Sequence, residues 1–599
     1  MKRPTISRKA CIVTAALVAS VAAPHASAQM LKLSGTSVTG GNTTGFAVTA
    51  TNSSVAFRSN REDATKFELW RSTLSAPAPV KLSGTMVSGG AVRPDFKISG
   101  DNTRAVFRAD RVAVGDIELW SAPMSGAVSI PTDVSELPAG RTVYDNFAVT
   151  SGAGTQRVVF LSNRDTASVR DLWVANTDGS GSPIKLSAIV TNATRDVQAF
   201  ALSPTNSKVA FNGDLGVDGR DALYVADIAG GTPTLLYAPA AGENVLNSIQ
   251  FSNDGTLIVF RIDRGAAGIE LVRVPTAGGA VVSLSGAVTG GRSVRAFQLD
   301  DQSSASAQKV VFRGDLTTTG KNDLYSVDLD AVAPVVINLS APLALSDGVA
   351  SFKLSSQLDK VAFATEDVMT RRRLWATNVI TSGLAAMPLD MSGPLVAGGD
   401  VSAYEISSNG GAVVFVANKI SASVRELWTA AVDGSSAAQK LSGTLVGGGN
   451  VGDDFLLVNT GSTYTAFYRA DAAQDEKTEL WRALVTTGTA QAPVKLSGMS
   501  PGFADVASFF ANNARAYFIS NREVSSQQEL FTQTVRQSTT LDIDANGQVG
   551  ALTDGLMITR FLNGSRGAAV TTSAYGQGAI RSTLDVDTYL FRLLTSAGP

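Results

Sequence analysis

The sequence predicts an all-β propeller of ten four-stranded repeats, with a small α-helical calcium-loop domain at its C-terminus. Three observations carry this. A phenylalanine closing a short apolar run recurs at Phe57, Phe107, Phe160, Phe211, Phe260, Phe312, Phe363, Phe415, Phe467 and Phe518, in steps of 49 to 53 residues. About twelve residues after each comes Leu followed by a large residue, from Leu69-Trp70 to Leu530-Phe531, and all six tryptophans fall at this one phase. The periodicity ends near Thr540, where an Asp/Asn/Gly series begins.

The remaining elements of each repeat follow in order. An aromatic-x-aliphatic segment precedes each Phe, as in Phe46-Ala47-Val48 and Tyr404-Glu405-Ile406. A Lys-Leu-Ser-Gly segment follows most Leu-Trp strands, as at 81–84, 440–443 and 495–498. Gly, Asn, Asp and Ser clusters separate the four, which marks short strands joined by turns. Four strands per unit of this length form a propeller blade. One further copy, Lys32-Leu33-Ser34-Gly35, stands ahead of the first repeat, and the array ends after a third strand. Pairing the two would complete the tenth unit and leave no open edge. This favours one ring, with two smaller rings the alternative.

The pattern resembles the TolB-type and WD-like propeller repeats, most closely at Ala201-Leu202-Ser203-Pro204 and Phe251-Ser252-Asn253-Asp254-Gly255. The resemblance spans about residues 31–540 and implies the fold, not the activity.

Residues 1–28 read as a signal peptide: Lys2, Arg3, Arg8 and Lys9 precede the apolar stretch 10–23, and Ala26-Ser27-Ala28 is a small-x-small cleavage site. The apolar run is too short to span a bilayer. An exported protein is therefore expected, whether secreted, periplasmic or at the cell surface, with residues 29–540 as the repeat array and 541–599 as the terminal module. Cleavage removes the only Cys (Cys11) and the only His (His25). Four of the 50 basic residues also go, leaving 46 against 52 acids, a net charge near −6. Nucleic acid is not an expected partner, and any proton transfer would fall to Asp, Glu, Lys or Tyr.

Three repeated features invite a functional reading. Asn60, Asp110, Asn163, Asp214, Asp263, Asp315, Glu366, Asn418 and Asn521 stand three residues after the repeat Phe. The ninth repeat has Ala470 at that place and Asp471 next. Such residues close turns by bonding backbone, and the Arg that often follows (Arg61, Arg111, Arg164, Arg264, Arg522) is expected to pair with the acid opening the next strand. The in-phase tryptophans are expected to pack between blades. Gly-Gly pairs at 40–41, 89–90, 398–399 and 447–449 read as turn formers on a loop face suited to binding.

The stretch Leu541-Asp542-Ile543-Asp544-Ala545-Asn546-Gly547-Gln548 places side-chain oxygens at loop positions 1, 3 and 5 and Gly at 6, the start of a calcium loop. Gln548 would add its backbone carbonyl and Asp554 the closing carboxylate. Thr553 to Gly564 then reads as an N-cap, an amphipathic helix and a C-terminal Gly. This resembles one half of a type I dockerin. The closing acid stands one residue late, and the second half keeps only a helix, about Thr583 to Leu594, so one calcium ion is expected. The resemblance implies a scaffold-type protein partner for the tail.

The function expected is an exported propeller that binds a protein or glycan through its loop face, with a calcium-binding tail. The alternative is a carbohydrate-active enzyme, hydrolase or lyase, that uses propeller carboxylates. No catalytic residue is singled out by the sequence.

Overall fold

The computed structural model describes residues 30–535 apart from 128, 153, 189–194, 217–218, 300–307, 344–347, 357–358, 368, 461–462, 487–490 and 499–503, and beyond them residues 543, 552–575, 579, 583, 586 and 590. Residues 541, 542, 544–551 and 591–599 lie outside the described set.

Alternating Val, Ala and Phe with short polar turns gives strands throughout. Unit 1 shows the pattern, with strands Thr43–Val48, Ser54–Ser59, Glu68–Thr73 and Val80–Lys81. Among the described residues the strands form eight four-stranded sheets and one eight-stranded sheet. Pairing within each four-strand unit is antiparallel. The eight-stranded sheet is two such units joined by a short parallel pairing of Gly268 and Ile269 with Arg292 and Ser293. The first strands of successive units lie beside one another and form the inner wall, while the two- to four-residue fourth strands lie outermost. This is a β-propeller.

The register explains the sequence phase. Phe57 faces Trp70, Phe160 faces Trp173 and Phe415 faces Trp428 across the second and third strands. In unit 9 the residue opposite Trp481 is Tyr468, not Phe467. The repeat aromatic of that unit is therefore one residue later than the sequence pattern suggests, and Asp471 falls three residues after it, in phase with its counterparts.

Each core is shared by two units. The repeat aromatic packs against the preceding unit, as Phe107 does in a cluster with Ala56, Leu69 and Leu82, and Tyr468 in one with Val414, Val416 and Leu427. A fully buried Phe of this kind contributes about 1.5–3 kcal/mol. The last such cluster joins Tyr517, Ile519 and Leu530 of unit 10 to Leu33, Val55, Phe57 and Trp70. At the same place Leu31 and Lys32 pair with Thr532 and Phe531, and the Asn512 amide donates to Asn52 Oδ1 at 2.5 Å.

Tyr468 is fully buried, burial pushes its phenol up, and its hydroxyl has no hydrogen-bond partner among the described residues. Nine units carry Phe at this position. Tyr468→Phe is accordingly expected to stabilise the protein by about 1 kcal/mol, the desolvation cost of an unmatched hydroxyl. A melting temperature at or below that of the parent would refute this.

In the tail, helix α1 runs Asp554–Leu562 and α2 runs Ala568–Thr571. Thr553 stands at the N-cap position, Asp554 lies in the first turn, and Gly564 leaves the helix at φ +91°. Thr583, Val586 and Leu590 are helical. Val586 and Leu590 join Ile543, Met557, Phe561, Val570 and Ala574 in a separate small core. Among the described residues no helix is long and apolar enough to cross a membrane.

Candidate functional site

The repeated polar residues build the units rather than a ligand site. Asn60, Asp110, Asn163, Asp214, Asp315 and Asn521 each accept a backbone N–H at the entry to their own unit's first strand, at 2.5–2.7 Å. Asp471 does the same for Asn450. The other three make local contacts: Asp263 accepts from Gly265 N–H, Glu366 pairs with Arg372, and Asn418 donates to Ala422 O. The Gly-Gly turns complete the device. Gly90, Gly399 and Gly449 lie so close to the carbonyls of Asp110, Asn418 and Asp471 that a Cβ would collide with them.

The arginines that follow depart from the expectation. Only Arg264 reaches the acid opening the next strand, Glu270, at 2.8 Å. Arg61, Arg111 and Arg164 lie over the rings of Trp70, Trp120 and Trp173 at 4.5–5.0 Å and donate to Thr36 O, Ser83 O and Glu136 O. Arg522 does likewise over Phe531, donating to Ser497 O. A guanidinium stacks well on an indole face, and the acids have another partner. Lys81 pairs with Glu68 at 2.8 Å, Lys185 with Asp171 at 2.6 Å and Lys440 with Glu426 at 2.9 Å, and Lys32 with Glu529 and Lys495 with Glu479 follow suit. In unit 2 the lysine's place opposite Trp120 is taken by Asp133. There Glu118 is pushed up to about 7, first by burial and then by Asp133 and Asp116.

Trp70, Trp120, Trp173 and Trp428 are buried in clusters shared with the preceding unit. They are not a surface for sugars.

A feature that varies between units is the residue directly after the repeat aromatic, which faces the following unit. Where it is polar it donates to the carbonyl of the first Val in the next inner strand. Arg58 bonds Val92 O (2.7 Å), Arg108 Val143 O (2.9 Å) and Asn212 Val245 O (2.9 Å). Arg261 bonds Val294 O (3.2 Å), Arg313 Val349 O (3.1 Å) and Arg469 Val506 O (2.9 Å). The equivalent residues Leu161, Ala364, Val416 and Ile519 are apolar, so four boundaries lack this clasp. Two of these are consecutive, 7/8 and 8/9.

Cavities open along the inner strands here. One of about 500 Å³ is lined by Gln298, Ser356, Glu405, Phe455, Asn459 and Tyr464 among others. A neighbouring one of about 260 Å³ is lined by residues including Ser351, Lys353, Arg372, Ser402 and Asp453, and Glu405 and Phe455 border both. Side-chain pairs take over the missing clasps. The Tyr404 and Ser351 hydroxyls bond at 2.8 Å, and the Tyr464 and Ser408 hydroxyls at 2.6 Å. Lys353 pairs with Glu405 and Arg425 with Asp453 at 3.0 Å, while Arg469 pairs inside unit 9 with Asp454 at 2.7 Å. Burial pushes the Tyr404 phenol up to about 12, so it remains a neutral donor. The charged side chains Lys353, Arg372, Glu405, Asp453 and Asp454 stay 36–49% exposed, accessible to a ligand. The sequence signal for this site is the consecutive apolar pair Ala364 and Val416 at a phase that holds Arg in five other units.

Of the expected calcium ligands, Asp542, Asp544, Asn546 and Gln548 lie outside the described residues. Asp554 is fully buried, its Oδ1 accepting the Ile543 N–H at 2.5 Å and its Oδ2 the Thr553 hydroxyl at 3.0 Å. It therefore lies beside the residue flanked by Asp542 and Asp544. Among the described residues no group of three or more metal-binding side chains occurs.

No protein-family profile matches the chain, and no curated protein matches it. Similar solved structures include one from a study of two prolyl endopeptidases, at 12% identity and TM-score 0.34, covering 65% of this chain and 55% of the other. A puromycin-hydrolyzing peptidase of Mycobacterium tuberculosis shows 13% identity and TM-score 0.32 over 63% of this chain and 58% of its own. TolB from Acinetobacter baumannii shows 17% identity and TM-score 0.25 over 58% and 78%. The chain thus spans little more than half the length of the two peptidases. The propeller assignment rests on the sheets themselves.

Proposed function

We propose that this is an exported binding propeller, a single ring of ten units, that takes part of a protein or glycan ligand into its channel at units 7 to 9. The observation that carries the reading is the pair of cavities opened where two consecutive boundaries lack the clasp. Ligand sites of this size are concave and lined by a few convergent polar groups. The ring is supported by the cluster that unites unit 10 with unit 1.

The mature chain is expected to hold no cysteine, so Ser402→Cys gives one labelling position inside the channel. With a fluorophore there, screening on glycan and peptide arrays should identify a ligand that also shifts the probe. A ligand that binds tightly and leaves the probe unchanged would place recognition elsewhere.

The second reading is hydrolysis, favoured by the carboxylates of Glu405, Asp453 and Asp454 in one region. If it holds, a bound glycan is cleaved and Glu405→Gln stops cleavage while sparing binding.

In the tail, Asp542, Asp544, Asn546, the Gln548 carbonyl and Asp554 would hold one calcium ion, tying the loop to the start of α1 and offsetting the repulsion of the acids. Asp554, buried against Ile543, supports this. Chelation should lower the melting temperature of the tail transition in the full chain, and Asp542→Ala with Asp544→Ala should remove that response while the propeller stays folded. A tail indifferent to calcium would end the assignment and with it the case for a calcium-dependent scaffold partner.

A further inference from the structure

We infer that the ligand of the channel site is an uncharged glycan chain, an inference that rests on the reading of the channel as a ligand site. The argument starts from charge balance. Two cations (Lys353, Arg372) and three anions (Glu405, Asp453, Asp454) line the two cavities, and each is in an ion pair, with Glu366, Arg425 and Arg469 as the partners behind the wall. An ionic ligand would have to break one of those pairs or sit beside it unneutralised, and both cost free energy. A neutral polyol costs neither.

What the paired groups still offer is hydrogen-bonding capacity. An ammonium has three donors, a guanidinium five, and a carboxylate about four lone-pair sites, so each retains free positions after forming its ion pair. Vicinal hydroxyls of a sugar match such alternating donors and acceptors, and the bonds are charge-assisted.

The apolar component is present as well. Phe455 borders both cavities, and Ile406 and Leu457 line the larger. A pyranose has a C–H face that packs on such a surface while its rim carries the hydroxyls. The larger cavity, near 500 Å³, is in the range of small-ligand sites. Units 7, 8 and 9 differ in their inner-strand side chains, so the wall reads successive positions of a chain differently.

The test uses the mature full chain labelled at Ser402→Cys. It is titrated with neutral hexose and pentose oligosaccharides, with a uronate oligosaccharide and with short acidic and basic peptides, each at low and high salt. The expected result is probe-reported binding of a neutral oligosaccharide whose affinity changes less than about twofold with salt, since screening acts on net charge. Phe455→Ala and, separately, Lys353→Met in the labelled chain should each weaken it about tenfold or more, and Glu405→Gln, which keeps the shape and one acceptor oxygen, should weaken it less. Circular dichroism and melting of each variant separate lost contacts from lost folding. Probe-reported binding of the uronate or a peptide, reversed by salt, would overturn the glycan class and leave the channel reading standing. Neutral-glycan binding that never moves the probe would overturn the channel reading. Failure of every ligand, in calorimetric titration of the unlabelled chain as well as of the labelled one, would overturn both.

Discussion

Replacing Asp133 by Lys is expected to stabilise the protein by about 1–2 kcal/mol at neutral pH and to remove a pH dependence present in the parent. In unit 2 the acid Glu118 meets Asp133 where other units place a lysine against the same acid. Glu118 stands at about 7 instead of 4.5, driven by burial and by Asp133 and Asp116. Its Oε2 has no hydrogen-bond partner among the described residues. A carboxyl held above its ordinary value favours the folded state while protonated. The parent therefore keeps full stability below about pH 4.5 as far as this group is concerned, and loses it progressively as the pH rises to about 7. The lysine reverses the sign, and because Glu118 is partly exposed, solvent screening holds the gain to the stated range. The local bonds that Asp133 accepts from the Ser135 N–H and hydroxyl and from the Glu136 N–H are given up, which tempers the gain. Denaturant unfolding at pH 5 and pH 8 measures it. Equal parent midpoints at the two values, or no gain in Asp133→Lys at pH 8, would contradict the account.

Loss of the closing strand is expected to have a larger effect. Leu31 and Lys32 provide the fourth strand of unit 10, Lys32 pairs with Glu523 at 2.8 Å and with Glu529, and Leu33 is fully buried in the cluster that joins the last unit to the first. Leu33→Ala should cost about 2–5 kcal/mol, as for a large buried side chain cut back in a core. Removing residues 30–35 altogether should uncover the outer edge of Glu529–Thr534 and produce association through that edge. A peptide covering Met30–Gly35, added in trans, should restore the monomer. A truncated chain that stays monomeric and melts like the parent would show the seam to be dispensable.

Much of this was legible in the sequence because the buried pairs repeat. Phe57 with Trp70 and Phe160 with Trp173 are cross-strand neighbours, so their spacing is fixed by strand and turn length. The ninth repeat misled because Phe467 and Tyr468 are adjacent aromatics and only the register with Trp481 decides between them. Charge alone cannot tell a guanidinium over an indole, as at Arg61 and Arg111, from one beside a carboxylate. The wall of the two cavities has no such signature. Lys353, Glu405 and Asp453 follow one another at intervals of about fifty residues, and nothing local marks them. Only the apolar residues at 364 and 416, read against Arg at the same phase in other units, point to a gap.

The seam also determines how the molecule bears a mechanical load. The strand Glu529–Thr534, from which the chain runs on towards the tail, is held on one side by Arg515–Ser520 and on the other by the N-terminal residues Leu31 and Lys32. A pull along this strand loads two rows of backbone hydrogen bonds in shear. The weaker row is the two-residue one, so under such tension the pairing with Leu31 and Lys32 should part first.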